Sequence, residues 1–229
     1  MYAEKSVEIN SYLTENILNI VFDYDYVINN NYNYLCMIQS VYNKLCNHFN
    51  NQINKIHKSF FGVSRQHFYN QNKEREKSVI INYTKSNIVL ENLIEKLSEN
   101  SIKCYIFGDT FNESLNKTLP KNIINIDKSN QNVLNEYFNK AYISISSNAC
   151  PTRIDYEMFM SGLCVFVTNY IDLPENIFNK LSNTDNDANF DKIKQILDDY
   201  NYTYDELYAG YLNIHNELDN LLNCVIKYV

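Results

Sequence analysis

Tyr142-Ile143-Ser144-Ile145-Ser146, Ser147-Asn148-Ala149-Cys150-Pro151, Thr152-Arg153-Ile154-Asp155-Tyr156-Glu157-Met158-Phe159-Met160-Ser161 and Gly162-Leu163-Cys164-Val165-Phe166-Val167-Thr168 follow one another directly. They read as strand, loop, helix and strand. A short apolar run bounded by turn residues suits a buried strand. Thr152 is a fair N-cap, and Asp155 three residues on can complete a capping box. Two strands joined through a helix of about ten residues lie parallel, because only a crossover of that length brings the chain back in the same direction.

The same alternation extends upstream. Ser78 to Tyr83 reads as a strand, and Ile88 to Leu97 as a helix with Leu90, Leu93, Ile94 and Leu97 on one face. Ile102 to Phe107 is a strand ending at Gly108, and Asn122 to Ile126 is a short one. Val133, Leu134, Tyr137 and Phe138 mark a further helix. Downstream, helices are predicted over 187–199 and 203–222. The second opens on Thr203-Tyr204-Asp205-Glu206, and its stripe is Leu207, Tyr211, Ile214, Leu218 and Leu221. Strands alternating with helices predict an α/β fold with a doubly wound, mainly parallel, Rossmann-like sheet. We place it at 77–229. The charged run Lys73 to Lys77 marks the boundary, and residues 1–76 form a shorter, irregular N-terminal part. That part contains a strand near Ile17 to Phe22 and a helix at 35–49.

Composition narrows the function classes. The 229 residues are 45% hydrophobic and 21% charged, enough for a sizeable core. A net charge of -7 and only three arginines (Arg65, Arg75 and Arg153) leave no basic footprint for nucleic acid. Six cysteines without CxxC spacing, and four histidines without a ligand spacing, point to no metal site. Cys104 and Cys164 fall in apolar strands, as small buried hydrophobes do. The polar start MYAEKSVEINSY lacks a signal-peptide core, and no apolar run reaches the ~20 residues of a membrane span. A reducing, cytoplasmic setting is expected.

In such a sheet, ligands bind beyond the carboxyl ends of the strands. Three loops leave those ends: 83–87, 108–110 and 147–151. The third feeds the helix at Thr152, whose N-terminus suits a phosphate. Arg153 would add a bidentate fork, and Glu157 could accept from sugar or ribose hydroxyls. Equally, Arg153 and Glu157 could form an ordinary surface pair at i, i+4.

The run from Ser144 to Asn169 resembles the donor-site signature of retaining GT-B glycosyltransferases. There a strand ending in Ser leads to an acidic loop, a helix of the form E-(A/M)-x-x-(S/C)-G and a strand closing on Thr. Phe61-Gly62-Val63-Ser64-Arg65-Gln66-His67-Phe68 is similar to the segment that precedes the family's second domain. Asn87, Glu91 and Leu97, with Val167-Thr168-Asn169-Tyr170, look most like polysaccharide rhamnosyltransferase-like members. The resemblance implies a domain of the GT-B donor type that binds a nucleotide-sugar, at Arg153, Glu157, Lys85, Thr152 and Gly108. It implies metal-independent sugar transfer to a glycan or polysaccharide acceptor, with no cofactor beyond the donor substrate. Glu157 matches the second glutamate of the family's E-x7-E pair, whereas Ala149 stands at the first. The 76 residues ahead of this domain are few for the family's acceptor domain, which is then shortened, supplied by a partner chain, or present as a remnant.

Two other readings stay open. One is a non-catalytic nucleotide-sugar-binding or partner-docking module. The other is a Mg²⁺-dependent phosphatase, since Asn19 to Ile28 resembles the first motif of haloacid-dehalogenase-like enzymes, with Asp23 as nucleophile and Asp25 as acid/base.

Overall fold

The computed structural model describes residues 18–21, 33–36, 39–49, 56–58, 67–84, 87–108, 120–127, 130–148, 152–168, 178–182 and 184–199. The chain forms two compact units, Val63–Tyr211 and Met1–Gly62 with Leu212–Val229. The second predicted C-terminal helix, over 203–222, lies outside the described residues.

In the unit that holds Met1–Gly62, β1 (Leu18–Val21), β2 (Asn33–Cys36) and β3 (Ile56–Lys58) make a parallel sheet in that order, with α1 (Gln39–His48) after β2. Tyr34, Cys36, Val41, Leu45, Phe49 and Ile56 form its core. This corrects the reading of an irregular segment with a helix from residue 35. The chain runs as a strand through Cys36 before the helix starts at Gln39. Asn33-Tyr34-Leu35-Cys36 and Ile56-His57-Lys58 carry too few β-branched residues to announce strands.

The larger unit holds six parallel strands: β4 (Ser78–Asn82), β5 (Lys103–Phe107), β6 (Ile123–Asn125), β7 (Ile143–Ser146), β8 (Cys164–Val167) and β9 (Phe178–Lys180). Their order is β6-β5-β4-β7-β8-β9. The sheet grows outward from β4 in one direction, then from β7 in the other, so right-handed crossovers lay helices on both faces. These helices are α2 (Ile88–Glu99), α3 (Gln131–Phe138), α4 (Arg153–Met160) and α5 (Asn186–Asp198). The expected doubly wound α/β fold is the one observed, with every strand parallel.

Strand alternation explains the two layers. Tyr105 and Phe107 of β5 meet Tyr137 and Phe138 of α3, with ring centroids 4.7 and 6.0 Å apart. Cys104 and Ile106 point the opposite way and are fully buried. Burial pushes the Cys104 thiol up to about 12, so it stays a protonated, inert hydrophobe. Cys164 is buried likewise. β4 is buried along its whole length, as a central parallel strand should be.

The charged run at 73–77 is more than a solvated boundary. Arg75 Nη1 donates to the carbonyls of Phe138 and Ala141, both at 2.8 Å, and Nη2 donates to Asn70 Oδ1 at 3.1 Å and to the Ser161 carbonyl. Arg75 thereby satisfies carbonyls at the ends of α3 and α4, groups that no helix can pair internally. Asn139 fixes the same strap, accepting from Gln71 N at 2.7 Å and donating to the Tyr69 carbonyl at 3.0 Å. Phe68 packs on Phe138.

Candidate functional site

Strand register brings Phe107, Asn82, Ser146 and Val167 side by side at the carboxyl edge of the six-stranded sheet. The carboxyl ends of β5, β4 and β7, from which the loops leave, are therefore neighbours. Between β4 and β7 the sheet changes its direction of growth. A crevice opens at such a switch point because the flanking helices cross to opposite faces.

The described residues of these loops are tied by side chains. Thr84 N donates to Ser147 Oγ at 2.8 Å, and the two hydroxyls are 3.1 Å apart. Thr84 Oγ1 donates to Asn148 Oδ1 at 2.7 Å. The Asn148 amide donates to Thr152 Oγ1 at 3.0 Å and to Asp155 Oδ2 at 3.3 Å. On the β8 side, Asn87 caps α2 by accepting from Val89 N and Leu90 N. Its amide donates to Thr168 Oγ1 at 3.2 Å, and that hydroxyl donates to the Ser146 carbonyl.

Thr152 is the N-cap of α4, as read from the sequence. Asp155 accepts from Thr152 N and Thr152 Oγ1, both at 2.8 Å. Asp155 is fully buried. Desolvation raises its pKa, while hydrogen bonds from Thr152, Ser146 and Asn148 work against the shift. A helix start already holds one internal carboxyl here, so any further anion must meet the remaining N–H groups and a side-chain cation.

Arg153 supplies the cation. Its Nε donates to Glu157 Oε1 at 2.6 Å, one helical turn on. Arg153 is 57% exposed and Glu157 only 5%. The i, i+4 pair is therefore made, but not as an ordinary surface pair: one member is inside. Burial raises the Glu157 carboxyl, and the Arg153 hydrogen bond and charge pull it back. Because Nε is the atom engaged, the two terminal nitrogens make up the outer end of the guanidinium. That end has the geometry for a bidentate oxyanion.

Gly108 ends β5 with φ +140, and a Cβ there would stand 1.9 Å from the Tyr83 carbonyl oxygen. Close passage of the Tyr83 backbone explains this glycine. Lys85 and Ala149 lie outside the described residues, as do Asp23 and Asp25. Among the described residues, no group of three or more His, Cys, Asp or Glu could hold a metal ion, and no helix is long and apolar enough to cross a membrane. The site residues that local reading passed over are Thr84 and Asn148. Both had been placed in loops, but nothing in the sequence joined them.

Two raised carboxyls give a testable pH dependence. A group whose folded value lies above its unfolded one contributes stability in full below the unfolded value and loses it as pH rises through the folded value. For Asp155 that loss begins above the ordinary 3.8. The difference in unfolding free energy between wild type and Asp155→Asn should therefore shift in the variant's favour as pH rises from acid to neutral. Urea titrations across that range measure it; a difference independent of pH would show that the buried carboxyl is not perturbed.

No protein-family model matches the chain, and no curated protein matches it by sequence. Solved structures do. The glycotransferase of kitacinnamycin superimposes with a TM-score of 0.52 at 11% identity, over 86% of this chain and 55% of that one. The Anabaena protein HepE, in complex with UDP-glucose, gives 0.56 at 8% identity, over 81% and 59%. The calicheamicin glycosyltransferase gives 0.50 at 8% identity, over 86% and 53%. These neighbours are GT-B glycosyltransferases, and at such identities the likeness is one of fold. The six-stranded sheet with its flanking helices is the Rossmann-like architecture they share. This chain spans little more than half their length.

Proposed function

We propose that the chain binds a nucleotide-activated sugar at the carboxyl edge of the six-stranded sheet and transfers the sugar to a glycan or polysaccharide acceptor without a metal ion. The observation that carries this reading is the outward-facing guanidinium of Arg153, held by the buried Glu157 at the start of α4, beside the switch point. As the bond between the sugar and the diphosphate breaks, negative charge grows on the departing oxygen. A fixed cation and a helix N-terminus stabilise that charge more than they stabilise the intact donor. Arg153 would take the diphosphate together with Lys85 of the β4–α2 loop and the N–H groups near Thr152. Glu157 would take ribose hydroxyls through its other oxygen, and Gly108 would let the β5 loop approach the donor. Fold neighbours that are glycosyltransferases, one of them holding UDP-glucose, support the class of ligand. The rhamnosyltransferase-like run Val167-Thr168-Asn169-Tyr170 adds dTDP-rhamnose to the candidate donors. The acceptor side would come from another segment or a partner chain.

Calorimetry with UDP-glucose, GDP-mannose and dTDP-rhamnose in excess EDTA tests the reading. Binding of at least one of them that persists in chelator is expected. Absence of binding by all three, or binding that needs added Mg²⁺, would count against it. A second reading, a binding module that does not turn over, is favoured by Ala149 at the place of the family's first glutamate. Release of the nucleoside diphosphate on adding acceptor separates the two.

A further inference from the structure

Two segments far apart in the chain meet at the switch point. One is the β4–α2 loop, described at Thr84 and Asn87; the other is the β7–α4 loop with the start of α4. Ser147 Oγ meets Thr84 N and Thr84 Oγ1 across them, and Asn148 goes further, reaching from Thr84 to the start of α4. Asn148 accepts from Thr84 Oγ1 at 2.7 Å and donates to both Thr152 Oγ1 and Asp155 Oδ2. Its three partners are the end of β4, the cap of α4 and the buried carboxyl that fixes that cap. Asn suits the task because its amide presents an acceptor and a donor on opposite sides of one plane. Aspartate would offer acceptors alone, and leucine of the same shape would offer neither.

We propose that Asn148 is a positioning residue for the donor site: it sets the distance between the β4–α2 loop and the N-terminus of α4, and hence how both close on a diphosphate. This rests on the reading of the crevice as a nucleotide-sugar site and goes beyond it. Asn148 itself contacts no reacting atom in this scheme; it acts through Thr84, Thr152 and Asp155. A second tie, from Asn87 through Thr168 to the Ser146 carbonyl, holds α2 to β8 and β7. Ser147 still ties Thr84 to the end of β7, so loss of Asn148 releases the start of α4 from Thr84 without dismantling the sheet.

The test is a double-mutant cycle on the full chain, with UDP-glucose and inorganic pyrophosphate as probes and a thermal melt beside each titration. Asn148→Leu should weaken both probes by about tenfold or more, the equivalent of one lost hydrogen bond's worth of alignment. Thr84→Val should weaken them too, and the double variant should lose less than the sum of the two, because both changes cut the Thr84–Asn148 bond while each also cuts a contact of its own. Asn148→Asp keeps the bond from Thr84 but sets a carboxylate against Asp155, with Arg153 and Glu157 the charged pair one turn on. Its affinity should be poor at alkaline pH and recover in acid, where a protonated carboxyl regains a donor. A merely structural Asn148 would lower melting temperatures and leave affinity within about twofold of wild type; that result, or fully additive losses, overturns the proposal. If Asn148→Leu does not fold, Thr84→Val and the pH profile of Asn148→Asp decide alone. A wild type that binds neither probe overturns the donor-site reading itself, and this inference with it.

Discussion

Gly108→Ala should cost at least about 4 kcal/mol of stability, a size that overpacking against fixed atoms and strain at a special φ/ψ are among the few mechanisms to reach. A Cβ at this position would lie 1.9 Å from Tyr83 O, 2.4 Å from Tyr83 C and 3.1 Å from Tyr83 N. All three are backbone atoms, so no rotamer change relieves the clash. The local φ of +140 adds a conformation that L side chains rarely adopt. Tyr83 has no freedom to withdraw. Its N–H donates to Phe107 O at 2.7 Å, its ring is fully buried and its hydroxyl donates to Glu91 Oε1 at 2.6 Å. Relief would require the ends of β4 and β5 to part, breaking the register that pairs Asn82 with Phe107. Urea denaturation measures the cost, with Ile88→Ala as the control. Ile88 is 67% exposed, so that change should stay within about 0.5 kcal/mol. A Gly108→Ala protein as stable as the control would mean that the β5 end does not pass Tyr83 this closely.

The strands that build the site were readable because parallel strands covered on both faces are nearly continuous apolar runs. Ser78 to Tyr83, Ile102 to Phe107, Tyr142 to Ser146 and Leu163 to Thr168 have that character, and β4, β5, β7 and β8 fall within them. The start of α4 was readable for another reason: Thr152 and Asp155 are three residues apart, and a cap is a local device. β9 was missed. Phe178-Asn179-Lys180 has one apolar side chain, and its strand character comes from pairing with Val165 to Val167. Residues 33–36 and 56–58 were missed because they carry few β-branched side chains.

Arg75 shows the limit more sharply. Within Lys73 to Lys77 it reads as one more solvated charge, yet its carbonyl partners lie 63, 66 and 86 residues away. Local charge density does not say which arginine will bond the carbonyls at helix ends. The Thr84–Asn148 contact, 64 residues apart, was hidden in the same way. Arg153 and Glu157 could be proposed because they are one turn apart; that Glu157 would be inside could not, since the covering groups come from the rest of the fold.

That burial changes what is expected of Arg153 and Glu157. For a solvated pair, either substitution should shift stability by a few tenths of a kcal/mol and leave ligands alone. For a donor site, Arg153→Ala should weaken UDP-glucose by roughly 10- to 100-fold, the span of about 1.5–3 kcal/mol for a hydrogen bond to a charged group. Arg153→Lys should restore only part of this, because an ammonium cannot offer the two-pronged contact. Removing Arg153 also removes what holds the buried Glu157 carboxyl down, so that carboxyl rises further. By the linkage sign for a raised carboxyl, the stability it contributes is complete in acid and lost as pH increases. The stability penalty of Arg153→Ala should thus be small at acid pH and grow toward neutrality. Glu157→Gln separates two roles for the carboxylate. If it holds ribose hydroxyls, UDP-glucose weakens while pyrophosphate, which has no ribose, is nearly spared; that is the expected outcome. If it serves only to aim the guanidinium, both probes weaken together. Calorimetric titration of the three variants with both probes, beside unfolding curves at acid and neutral pH, reads every arm. Affinities unchanged from a wild type that binds UDP-glucose would remove this pair from the donor site and leave the crevice to other residues.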